Sequence, residues 1–136
     1  MDNSIATTER VDELLAFLPY IHILENMPVG EWLTLDPISF AFGPNYNYPE
    51  ELDRFIKCAS QSCWNDFDYV PNDVGQVIFS QSYISNATIA NIKSLLTYAV
   101  RGERFSPGHW KEMIDEKVFG RILERLKQIG GQESSL

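Results

Sequence analysis

Two arginines, a histidine and a tryptophan fall inside the eleven residues Val100-Arg101-Gly102-Glu103-Arg104-Phe105-Ser106-Pro107-Gly108-His109-Trp110. No other window of the chain collects so many groups able to hold an anion or a partner. Arg101 and Arg104 can clamp a phosphate or carboxylate through paired N–H donors. A helix starting at Ser106-Pro107 would add free backbone N–H groups beside them. His109 would then be the general acid or base. The plainer reading is also open. Arginines near a helix end often pair with neighbouring carboxylates, here Glu103 or Glu112, and such pairs are individually weak. A lone histidine is more often a hydrogen-bonded structural residue, and Trp110 more often core.

A second group surrounds Trp64-Asn65-Asp66-Phe67-Asp68. Trp64 and Asp66 join the candidate binding set, with Asp66 or Asp68 as the carboxylate if folding brings it near the arginines. As a calcium loop the segment fails, because Pro71 stands where glycine is required and Val77 where a bidentate glutamate is required. Cys58 and Cys63 do not form a zinc spacing, so no metal is expected. Cys58 reads as a buried small hydrophobe and Cys63 as a helix-end residue. Gly-x-Ser-x-Gly and phosphate-cradling glycine motifs are absent, and no cofactor is expected.

These groups must be positioned by helices. Thr8-Glu9 opens an amphipathic pattern through Val11, Leu14, Leu15, Leu18 and Ile21, which Pro19 should kink or split. Residues 30–48 read as an irregular aromatic arm with a short strand near Ile38–Phe42. Pro49 opens a helix ending near Ser62. Asn72 or Asp73 starts a further helix or turn through Phe79. Asn86 caps a helix carrying Ile89, Ile92, Leu95, Leu96 and Ala99, and Gly102 ends it. Ser106-Pro107 opens the last pattern, through Met113 and Ile114 and on to Ile129, stopping at Gly130-Gly131. The expected fold class is all-α: one helical domain over 1–136, of about five to six helices, with frayed ends at 1–7 and 130–136.

The C-terminal block Arg101-x-x-Arg104-Phe105-x-x-Gly108, followed by Ile122-Leu123-Glu124-Arg125-Leu126, resembles a family of small prokaryotic proteins known only as a domain of unknown function. Trp32, Tyr48, Phe55, Trp64, Asp66 and Leu95-Leu96-Thr97 extend the likeness over roughly residues 10–127. One departure is Trp64-Asn65-Asp66, where the family pattern has Asp before Trp. The resemblance implies a shared helical fold and a cytoplasmic setting, and no activity.

The chain has 136 residues and a net charge of −8, with 44% hydrophobic and 22% charged residues. That is a globular composition, and the length is that of one domain. Residues 1–92 carry 3 basic and 13 acidic side chains, and residues 93–136 carry 8 and 6. The overall acidity argues against nucleic acid as a partner, since phosphate neutralisation needs clustered positive charge. The longest apolar runs fall far short of the roughly 20 residues that span a bilayer, so no membrane partner is expected. The N-terminus lacks the basic start and apolar stretch of a secretory signal. Two functions remain from different classes. One is a cytoplasmic protein-interaction or regulatory module without catalysis, meeting a protein partner or a second copy as a homodimer. The other is an enzyme or binding protein for a small phosphorylated or nucleotide-like anion, using Arg101, Arg104 and His109.

Overall fold

Pro19 divides the first apolar stripe into two helices, α1 (Thr8–Leu15) and α2 (Leu18–Glu25). Proline has no N–H to continue the ladder, and it sits in the first turn of α2, where none is needed. The computed structural model describes residues 8–35, 46–65, 74–104 and 106–134. Further along come α3 (Glu50–Ala59), α4 (Gln81–Ser85), α5 (Ile89–Arg101), α6 (His109–Asp115) and α7 (Val118–Ser134). Single 3-10 turns lie at Ser62–Trp64, Val74–Gln76 and Gly102–Arg104. The only sheet among the described residues is a two-residue antiparallel ladder, β1 (Thr34–Leu35) against β2 (Tyr46–Asn47). The architecture is a single helical domain, as expected, with more and shorter helices than the apolar stripes alone suggest.

α7 is the axis. It packs against α1, α2, α4, α5 and α6. Val118, Phe119, Ile122, Leu123 and Leu126 are fully buried along it, meeting Leu14, Ile21, Phe55, Ile92, Leu95, Leu96 and Ile114 in one core. Phe55 bridges two layers, edge-on to Phe17 at 5.7 Å and to Phe119 at 5.0 Å.

Several boundaries differ from expectation, each for a local reason. Thr88, not Asn86, caps α5. Its hydroxyl accepts from the Asn91 N–H and the Asn91 side chain accepts from the Thr88 N–H, a reciprocal capping box. Asn86 instead closes α4, whose own start is capped by the Ser80 hydroxyl accepting from the Tyr83 N–H. α6 does not begin on Ser106-Pro107. Its cap is Gly108, at φ +90, a left-handed conformation that suits glycine. A further left-handed residue, Lys117 at φ +63, separates α6 from α7. α7 runs on through Gly130-Gly131 to Ser134, because neighbour packing over its earlier turns outweighs the roughly 1 kcal/mol per-glycine penalty. The two cysteines exchange roles: Cys63 is buried and Cys58 only partly so. The expected strand at 38–42 and the segments 66–73 and 1–7 lie outside the described residues.

Candidate functional site

The corner between α5 and α6 is built around Glu103. α5 ends at Arg101 and the chain tightens into the 3-10 turn Gly102–Arg104. The Glu103 carboxylate then faces the start of α6. Its Oε2 accepts from the Gly108 N–H at 2.9 Å, and its Oε1 from the Trp110 N–H at 2.9 Å. The Tyr48 hydroxyl donates to the same Oε1 at 2.8 Å. The N–H groups that sequence reasoning offered to an external anion are therefore held by an internal one. A carboxylate there suits both the orphan donors and the positive end of the helix dipole.

Aromatics fasten the arm to this corner. Trp32 stacks on Tyr48 with ring centroids 6.1 Å apart, and Tyr48 meets Trp110 at 5.1 Å. The Trp110 indole N–H donates to the Val100 carbonyl at 2.9 Å. Trp110 is thus tied at both its main chain and its ring.

His109 turns inward. It is 8% exposed, edge-on to Tyr98 at 5.3 Å, with its ring against Gly102. A Cβ at Gly102 would lie 2.3 Å from His109 Nε2, so glycine there makes room for the imidazole. Burial pushes the His109 pKa below its ordinary 6.5, against the pull of Glu112 and Glu103. Nε2 has no hydrogen-bond partner among the described residues. A neutral ring walled in this way is a core histidine.

The two arginines remain at the surface of the corner. Arg101, Arg104 and Trp110 line a cavity of about 540 Å³ with Ile56, Ala59 and Val100. Three of the expected site residues therefore do share one opening. Trp64 does not. It is fully buried at the end of the Ser62–Trp64 turn, whose carbonyl accepts from the Thr97 hydroxyl at 3.3 Å. Asp66 lies outside the described residues.

A second polar cluster has no counterpart in the sequence reading. His22, in the last turn of α2, has Nδ1 3.2 Å from Glu25 Oε1 and Nε2 2.9 Å from Glu124 Oε1 on α7. The Glu25 side chain is 4% exposed, and its Oε2 accepts from the Gly120 N–H at 3.0 Å. Burial raises the Glu25 pKa above the ordinary value, outweighing that hydrogen bond and the contact with His22. The hydrogen bond to Glu124 raises that of His22. Among the described residues, no group of three His, Cys, Asp or Glu is arranged to hold a metal ion. Nor is any helix there long and apolar enough to cross a membrane.

Residues 6–132 match the pattern of DUF6508, a family of unknown function. The chain belongs to this family. No curated protein and no solved structure matches it. The matched span includes both polar corners of this DUF6508 chain. One sequence signal pointed to the missed cluster. Gly120 sits inside an apolar helical run, where glycine commonly marks a close approach. A Cβ there would lie 2.3 Å from Glu25 Oε1. Glu124 is 102 residues from His22, and no spacing rule connects them.

Proposed function

We propose that this DUF6508 protein is a small non-catalytic interaction module, and that it meets a protein partner through the Arg101–Arg104–Trp110 cavity. One observation carries the reading. The groups a catalyst would need at this corner serve the fold instead, while the arginines still rim an opening whose wall mixes Ile56, Ala59 and Val100 with Ser60, Thr97 and Glu103. Glu103 occupies the α6 N–H groups and His109 is buried. Arginine and tryptophan over Ile56, Ala59 and Val100 make the kind of surface that anchors a protein contact. The cations favour a partner segment carrying acidic residues. A second copy is one such partner, since residues 1–92 hold 13 acidic side chains against 3 basic ones. A cytoplasmic setting fits the free thiols of Cys58 and Cys63.

The test is a photo-crosslinking amino acid placed at Arg104, with Lys127 on the exposed side of α7 as the control position. Discrete adducts from position 104, absent from 127 and weakened by Arg101→Glu, are the expected result. An adduct of twice the chain mass would identify self-association. Identical patterns from the two positions, or none, overturn the reading. The anion-enzyme alternative needs His109 accessible, which its burial opposes.

A further inference from the structure

α7 presents a row of cations to a second cavity. Lys117 immediately precedes α7, and Arg121 and Arg125, four residues apart within it, share one face. All three line an opening of about 350 Å³ between α2, α4 and α7, together with Asn26, Gln81 and Gln128. None of the three makes an ion pair with a described residue. Among the described residues, the Arg121 guanidinium donates to the Glu116 carbonyl at 3.3 Å. Arg125 donates to the Ala87 carbonyl at 2.8 Å and to the Gln128 side chain at 3.3 Å. The Lys117 backbone N–H donates to the Ile114 carbonyl at 2.9 Å, and its ammonium has no hydrogen bond to a described residue. The carboxylates of the same cavity are engaged elsewhere: Glu25 on the Gly120 N–H and Glu124 on His22. Lys117 is close enough to Glu25 to attract its carboxylate, but in a chain of net charge −8 three adjacent cations with no ion pair to a described residue are still an unusual concentration. Like charges so placed repel one another, and an anion between them relieves that repulsion.

We propose that this cavity is a binding site for a small soluble phosphate monoester, its oxyanion held by Lys117, Arg121 and Arg125. The rest of the wall specifies the ligand's other end. Amide side chains of Asn26, Gln81 and Gln128 offer donors and acceptors in place of the apolar lining usual for drug-like ligands. That suits a hydroxyl-rich body, such as a sugar. The volume, about 350 Å³, is near the lower end of known ligand sites and suits a small ester better than a large nucleotide. The site is separate from the Arg101–Trp110 opening and shares no residue with it.

The experiment is a titration of the whole chain, followed by amide NMR, with inorganic phosphate and with ribose 5-phosphate at constant ionic strength set by chloride. Saturable shifts confined to residues 117–128, Asn26 and Gln81 are expected, with the sugar ester binding more tightly than phosphate. Arg121→Gln and Lys117→Asn should each weaken binding about tenfold, the worth of one lost charge-assisted hydrogen bond. Asparagine tolerates the left-handed backbone at 117, so that variant keeps the fold. Lys127→Gln and Arg104→Glu should leave the affinity unchanged. Four results overturn the proposal: diffuse shifts that follow ionic strength, shifts centred on Arg101 and Arg104, equal loss in Lys127→Gln, or binding only to vesicles containing phosphatidic acid.

Discussion

Glu25 and Glu103 lie in different parts of the chain, yet each carboxylate ends on backbone N–H groups in the first turn of a later helix. Such a bond to a charged acceptor is worth about 1.5–3 kcal/mol in general, and leaving a buried donor unpaired costs about 1–3. For Glu25 the burial of the charge wins over the bond, because its pKa is raised. Glu25→Gln, which keeps an acceptor and removes the charge, should therefore change stability by less than about 1 kcal/mol, while Glu25→Ala costs about 1–3. Gly120→Ala displaces the same carboxylate and should cost a similar amount. The double variant should then be less destabilised than the sum, by about 0.5–3 kcal/mol of coupling in urea unfolding. The two histidines should titrate in opposite directions from 6.5, His22 above and His109 below. His22 contributes stability that is full below 6.5 and is lost as pH rises through its folded value. His109 contributes stability that is present above 6.5 and is lost as pH falls through its folded value. Removing His22 should make the protein more acid-sensitive, and His109→Phe less so. Histidine ring NMR and melting curves from pH 5 to 8 check both signs.

At the scale of elements, α7 holds the others together, and stability should follow its buried face. Leu123 is fully buried between helices, and Leu123→Ala should cost about 2–5 kcal/mol. Ile23 is 56% exposed on α2, and Ile23→Ser should stay within about 0.5 kcal/mol. The caps give a sharper comparison. Thr88→Ala removes the true cap of α5 and should cost about 1 kcal/mol, while Asn86→Ala, at the residue the sequence favoured, should cost less than half of that. The reason lies in spacing. Both residues precede the apolar stripe, but only Thr88 has a side-chain partner at the third helical position. Amphipathic stripes mark which face of a helix is buried. They do not mark where one helix stops and the next begins, which is why α6 and α7 read as one continuous pattern.

Over the whole molecule, net charge is −8, with the excess acid in the first two-thirds. The recorded ion pairs Arg10–Glu13 and Arg54–Glu50 are exposed and local, and each contributes little. Repulsion between like charges reaches further than these short contacts, and the Debye length falls to about 10 Å at 0.1 M salt. Sodium chloride should therefore raise the melting temperature between 10 and 200 mM, by a few degrees if the relief is on the order of 1 kcal/mol. A fall in melting temperature would mean that the internal carboxylate clusters dominate the electrostatics.

The sequence alone determined the helical class, the apolar faces of α1, α3, α5 and α7, the break at Pro19 and the likeness to an uncharacterised family. Those properties are local, set by periodicity, proline chemistry and residue order. It also drew Arg101, Arg104 and Trp110 together, because they are neighbours in the chain. Only tertiary packing decided that His109 and Trp64 are core, that Glu103 fills the α6 start, and that His22 joins Glu124. Burial and long-range hydrogen bonds depend on which faces meet, and a one-dimensional pattern carries no record of that.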